Sequence, residues 1–358
     1  MNEMSYQNKK TNKILVISQA INQPRIINRI KSLSKQYENV EVYSFKRNKY
    51  DTKNYINLLD DKVRIKIIGE IQDGIYINRI GLYTKLIILL VRKVFSKYDI
   101  YSFGLDSGIL SLLFIRSYKV YEISDIKWLY SKGILRNIQK RIDYLVCNYS
   151  DKINFTSEGF YLKYYSFISE KKISIIENKF KTYNLVNPIG SIYEKNISIA
   201  YVGALRYKNI LENVLNIISE RNYIELNFYG EGSEEVNNLV KDYASRYDNI
   251  QFHGKFRNPD DLERIYKGTN INFVCYDNTL ENERVALPNK YYESGFFNIP
   301  IVCSKNTFLS TLVEKNNMGW SIDIDYDSLK CFFDNLTVTD LKKKHDNIKL
   351  LDKKIFIK

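Results

Sequence analysis

Short apolar runs alternate with stretches of helical spacing along most of the chain. The run Lys13–Ser18 ends in a polar loop, and after it Ile26, Ile27, Ile30 and Leu33 fall on one helical face between Arg25 and Gln36. Residues 40–45 then alternate with period two. Further strands are predicted at 63–68, 98–103, 119–123, 152–155 and 173–176, with helices near 78–97, 106–116, 132–149 and 158–166. Strands separated by ten or more helical residues imply right-handed parallel crossovers and a doubly wound α/β sheet.

The alternation pauses over 181–196, a polar stretch with Asn187, Pro188 and Gly190, and restarts at Asn196. Strands are expected at 196–203, 224–229, 250–253, 271–275, 299–303 and 320–322. Helices are expected near 208–221, 233–245, 259–268, 288–297 and 325–336. The division that follows is an N-terminal domain over 1–185, a second domain over 196–338, and a tail over 339–358 that returns to the first domain.

Composition narrows the classes. Hydrophobic residues are 44% and charged residues 27%, values of a folded globular chain rather than a disordered one. The longest apolar run, from Leu86 to Val91, is far below the ~20 residues that span a bilayer. The polar N-terminus lacks the apolar stretch of a signal peptide, so a cytoplasmic location is expected. Cys147, Cys275, Cys303 and Cys331 have no metal-binding or disulfide spacing and are expected as reduced thiols.

Charge is lopsided. Residues 1–183 hold 32 Lys+Arg and 17 Asp+Glu, whereas residues 184–358 hold 22 and 24. A basic half beside a slightly acidic one points to a negatively charged partner for the first half: nucleic acid, anionic lipid or a phosphorylated acceptor. The segment 81–97 mixes an apolar face with Lys85, Arg92, Lys93 and Lys97, a pattern suited to the headgroup region of an anionic membrane. A buried helix of the domain would carry the same apolar residues.

Ligands of open parallel sheets bind beyond the carboxyl ends of the strands. In the second domain those loops hold Gly203, Arg206 and Lys208, then Gly230, Glu231 and Gly232, then His253, Lys255 and Phe256. Two cations at a helix start suit a diphosphate, because free backbone N–H groups add to their charge. Gly230-Glu231-Gly232 reads first as a tight turn, and His253 as a strand-end residue with no metal spacing. The most specific segment runs from Leu287 through Pro288, Asn289, Lys290 and Glu293 to Gly295 and Pro300. Pro288 sits in the first turn of a helix that Gly295 and Asn298 close. Glu293 on that helix can accept ribose hydroxyls, or be an ordinary solvated carboxylate.

Taken in order, these four segments resemble the nucleotide-sugar half of the GT-B glycosyltransferases, most closely the retaining family four in its bacterial polysaccharide branch. The resemblance covers about 197 to 322 and is weaker over the first domain, where Pro24, Arg25, Arg29 and the stretch from Tyr101 to Asp106 are similar. It implies two Rossmann-like domains facing a central cleft, and transfer of a sugar from a UDP- or GDP-linked donor. The acceptor would be a carbohydrate or a polyprenol-linked sugar in capsule, lipopolysaccharide or exopolysaccharide assembly. It implies no cofactor and no metal. Arg206 and Lys208 would hold the diphosphate, Glu293 the ribose, and the backbone of Lys255 and Phe256 the base. Asn289 and Lys290 would lie near the phosphates and the sugar.

Departures from the family pattern leave alternatives open. The first of two glutamates usual in the family falls at Val285, with Glu281 or Glu283 as substitutes. The first-domain histidine is missing, and Asp106, with Glu122 and Asp125 behind it, takes its place as a candidate base. A non-catalytic nucleotide-sugar-binding protein of the same fold is one alternative. A nucleic-acid-binding protein is another, weakened by scattered basic residues and no nucleic-acid module.

Overall fold

The computed structural model describes residues 11–47, 59–71, 77–181 and 196–358. The polar stretch between the domains therefore lies largely outside the described residues, as do positions 1–10. The chain divides into two compact units, Met1–Glu177 and Asn178–Lys358.

In the first unit seven strands form one parallel sheet in the order β3-β2-β1-β4-β5-β6-β7. These are β1 Lys13–Ser18, β2 Asn39–Lys46, β3 Val63–Glu70, β4 Asp99–Phe103, β5 Lys119–Ile123, β6 Lys152–Phe155 and β7 Ile173–Ile175. The central strands β4 and β5 are buried along their whole length, as a sheet covered on both faces requires. Helix α1 (Pro24–Ser34) turns Ile26, Ile27, Ile30 and Leu33 inward onto one face. On the opposite face α2 (Ile77–Val91) and α3 (Gly104–Ser111) share a core through Leu86, Leu90, Leu110 and Phe114. Helix α4 (Gly133–Tyr149) packs on α3 at Gly108, where a Cβ would lie 2.8 Å from Val146.

The second unit repeats the plan with six parallel strands in the order β10-β9-β8-β11-β12-β13. They are β8 Ile197–Val202, β9 Ile224–Tyr229, β10 Ile250–Gly254, β11 Ile271–Val274, β12 Ile301–Ser304 and β13 Gly319–Ile322. The helices are α5 Lys208–Ser219, α6 Glu234–Arg246, α7 Leu262–Lys267, α8 Glu281–Val285, α9 Asn289–Phe297, α10 Phe308–Lys315, α11 Tyr326–Asn335 and α12 Val338–Leu350. Counted from its own first strand, each sheet runs 3-2-1-4-5-6, with a seventh strand added in the first, the doubly wound order whose reversal between strands 1 and 4 opens a crevice.

In the tail Phe356 is fully buried against α9, and Phe180 N–H donates to the Phe356 carbonyl at 2.8 Å. A Cβ at Gly295 would lie 2.2 Å from the Phe356 ring, so Gly295 makes room for the tail and does not end the helix. Asn298, in the left-handed region at φ 61°, ends it. Lys353 Nζ donates to the Gly295 carbonyl at 2.8 Å and to Asn298 Oδ1 at 2.5 Å, which fastens the tail to α9. Pro288 is likewise the residue before the helix, not its first turn.

Candidate functional site

The crevice of the second unit lies between the loops after β8 and β11. After β8 the chain passes Gly203, at φ 130°, and Gly230 after β9 stands at φ 137°. A Cβ at Gly230 would lie 1.8 Å from the Gly203 carbonyl oxygen, and one at Gly232 would lie 2.2 Å from that of Leu205. The two loops are thus laid backbone on backbone, with Gly203 N–H donating to the Tyr229 carbonyl at 2.8 Å and Leu205 N–H to that of Glu231 at 3.1 Å. Gly230-Glu231-Gly232 is therefore glycine-rich for close approach as well as for turning.

Beyond Gly203 the chain enters α5 through Tyr207, which holds φ 60° although it is not glycine. Such a conformation costs on the order of 1–3 kcal/mol, and surrounding packing must hold it. The Tyr207 ring lies 5.7 Å from that of Tyr276, after β11. Burial first, then the Glu283 carboxylate, pushes the Tyr207 phenol up, so it stays protonated. Arg206 is 59% exposed, with Nη1 3.9 Å from Glu283 Oε1. Glu283 belongs to the short helix α8 and is buried beside Asn282 and Val285. The crevice thus brings Arg206 and Glu283 together, while Val285 is packed away at 4% exposure.

Lys208 lies elsewhere. Its Nζ donates to Glu235 Oε1 at 2.6 Å on the first turn of α6, an exposed pair worth little in stability. Lys255 Nζ is similarly 3.3 Å from Glu231. The cation that reaches the glycine loop is Lys290: a Cβ at Gly203 would lie 3.6 Å from Lys290 Cε. Its Nζ stands 5.6 Å above the Phe256 ring and donates to Glu293 Oε2 at 2.6 Å. Glu293, one turn further along α9, is buried and accepts a second bond from Tyr266 Oη at 2.7 Å. Both bonds end on Oε2, and among the described residues none donates to Oε1, which can accept another hydroxyl. Asn289 stands exposed at the start of α9, beside Pro288.

His253 stacks on Tyr229 at 4.3 Å and 5° and bonds Asn227 Oδ1 at 2.9 Å through Nε2. Burial and the Arg264 cation lower its pKa, so the ring is neutral at pH 7.

The first unit places Asp106 at its own crevice, on the first turn of α3 after β4. Asp106 accepts from Gln19 Nε2, after β1, at 2.8 Å and from Tyr83 Oη at 3.4 Å, and Lys127 pairs with its other oxygen. Asp125 is exposed in the loop after β5. Glu122 is excluded as a base. It is fully buried, with Arg29 Nε on Oε2 at 2.7 Å, Tyr101 Oη on the same oxygen and Arg25 Nε at 3.7 Å from the other. Burial pushes its carboxyl up, but the Arg29 and Arg25 cations outweigh that and hold it below the ordinary carboxylate value.

Sequence reasoning missed Tyr207, Tyr266 and Tyr276, ordinary tyrosines in a chain with 30 of them. It also left Lys290 without its partner. The spacing of Lys290 and Glu293, three apart on a helix, was the available signal.

No family model matches the chain, and no curated protein matches it by sequence. Solved structures do match. Sucrose-phosphate synthase from Thermosynechococcus elongatus is similar with a TM-score of 0.70 at 12% identity, over 96% of this chain and 95% of that one. HepE from Anabaena, solved with UDP and glucose, follows at 0.66 and 13%, over 96% and 95%. WaaG, a glycosyltransferase of lipopolysaccharide biosynthesis, is similar at 0.62 and 12%, over 96% and 97%. The chain has the fold of these GT-B glycosyltransferases, two parallel-sheet domains.

Proposed function

We propose that the chain transfers a glycosyl group from a UDP- or GDP-linked sugar to a carbohydrate or polyprenol-linked acceptor in bacterial polysaccharide assembly. The observation that carries this reading is the free Oε1 of buried Glu293, held by Lys290 and Tyr266 beside the Gly203 loop. Vicinal ribose hydroxyls are donors that such an oxygen can accept from at a strand-end crevice. Solved neighbours of this fold add support, since HepE was captured with UDP and with UDP-glucose.

In this reading Glu293 Oε1 accepts from the ribose, and the backbone at Lys255 and Phe256 faces the base. Gly203 and Gly230 let the backbone approach the diphosphate. Arg206, Lys290 and the N–H groups at the head of α9, beside Pro288 and Asn289, take its charge. As the anomeric C–O bond breaks, the leaving nucleoside diphosphate gains negative charge, and these groups stabilise it without a metal. Glu283 stands in for the missing glutamate at Val285 and contacts the sugar. Lys208 contributes from the rim once it leaves Glu235, and Glu231 lines the rim. Asp106, oriented by Gln19 and Lys127, receives the acceptor hydroxyl, and transfer proceeds with retention. A lipid-linked acceptor places the enzyme at the surface of an anionic membrane leaflet.

Titration with a panel of UDP-, GDP- and CDP-sugars tests the reading. Saturable binding of at least one UDP- or GDP-sugar is expected, and absence of binding to all of them would overturn it.

A further inference from the structure

Resting on the membrane location just proposed, we infer that the whole outer face of the α2–α3–α4 layer, not the 81–97 segment alone, docks the first unit on an anionic bilayer. The three helices precede β4, β5 and β6, which are neighbours in the sheet, so right-handed crossovers put them side by side on one face. Shared packing agrees: Leu86 and Leu90 of α2 meet Leu110 of α3, and Gly108 of α3 meets Val146 of α4. Their outward residues therefore point the same way.

That outward side is apolar to an extent a solvated helix layer does not need. Ile80 is 70% exposed, Phe95 just past α2 is 96%, Ile115 just past α3 is 86%, and Ile134 on α4 is 79%. Ile88, Ile138 and Leu145 extend the patch along the two outer helices. Single exposed apolar residues are ordinary, but seven on one side of a helix layer, on α2, on α4 and in the turns after α2 and α3, mark an interaction surface.

Charge decides what covers it. Arg92, Lys97, Arg116, Lys132 and Arg141 are exposed among these residues. The acids of the same stretch are withdrawn: Asp99, Glu122 and Asp143 are buried and Asp106 is held by Lys127. Asp125 lies in the loop after β5, off the helices. A second copy would oppose like charges across the patch. A bilayer with anionic headgroups takes both the apolar side chains, at the acyl boundary, and the cations around them.

Co-sedimentation of the full chain with vesicles tests this. Binding is expected to phosphatidylglycerol–phosphatidylcholine vesicles, not to phosphatidylcholine alone, and is expected to fall as salt rises. Phe95→Ser combined with Ile138→Ser should lower partitioning by about tenfold or more at every salt concentration. Arg92→Gln combined with Arg141→Gln should lower it by about tenfold at low salt only. No vesicle binding, equal binding to neutral vesicles, or a Phe95/Ile138 variant that binds like the parent would overturn the inference. So would a dimer that this variant dissolves while no vesicle binds. Sugar-nucleotide titration of the same samples separates the two readings: lost vesicle binding with intact donor binding counts against docking alone, and the reverse counts against glycosyl transfer alone.

Discussion

Two buried glutamates, one in each unit, show how the same side chain serves opposite ends. Glu122, on the inner strand β5, takes Arg29 and Tyr101 on Oε2, while its buried Oε1 accepts no hydrogen bond and faces Arg25 at 3.7 Å. Glu293 meets Lys290 and Tyr266 on a single oxygen and keeps the other open beside a glycine loop. A buried charge with all its partners internal belongs to the fold. One left with an open acceptor at a strand-end crevice is a site candidate. Burial, a charged partner and one oxygen without a hydrogen bond are common to both, so none of these distinguishes them; the second cation facing Glu122 Oε1 and the glycine loop beside Glu293 do.

The sharpest way to break this contrast is to strip each glutamate of its cation. Arg29→Met should cost about 3–5 kcal/mol of stability, read by thermal or urea unfolding, because it leaves Glu122 buried with only a distant Arg25. The pH profile sharpens the point. Glu122 titrates below its ordinary value of 4.5 in the folded state, so the stability it contributes is full above that value. It is lost as pH falls through the lower folded value, because the unfolded chain binds the proton more readily. In Arg29→Met that acid-side loss should shrink or reverse.

The glycine loop comes next. Gly230→Ala forces a Cβ to 1.8 Å from the Gly203 oxygen at φ 137°, so the loops must part. About 1–3 kcal/mol of backbone strain is expected, with donor binding lost by calorimetry. Glu293→Gln should weaken a sugar nucleotide by about 1.5–3 kcal/mol while binding pyrophosphate like the parent. An equal loss for both ligands would argue against a ribose contact. Smallest is the contrast between the rim cations. Arg206→Ala should cost about 1.5–3 kcal/mol of diphosphate binding, and Lys208→Ala clearly less because Glu235 already competes for it. Identical losses would mean that Lys208 turns to the phosphate after all.

Strand positions were legible where an apolar run is short and bounded by polar residues: β1, β5, β6 and β9 fall where the pattern puts them. Helix α10 was overlooked although Thr307 and Ser310 form a capping box, because Phe308–Lys315 spans barely two turns. Helix α8, five residues long, cannot show periodicity at all. The loops holding Arg206, Lys290 and Glu293 could be named from their order along the chain. Which cation approaches Gly203 could not, because Lys208 and Lys290 differ only in what the fold sets opposite each. The seat of Phe356 over Gly295 could not be read for the same reason.

A crystal structure of the full chain grown with UDP tests the central claim most directly. The account predicts the diphosphate against the Gly203–Arg206 loop and Lys290, with a ribose hydroxyl donating to Glu293 Oε1. UDP bound elsewhere in the second unit, with Glu293 Oε1 still unoccupied, would contradict it.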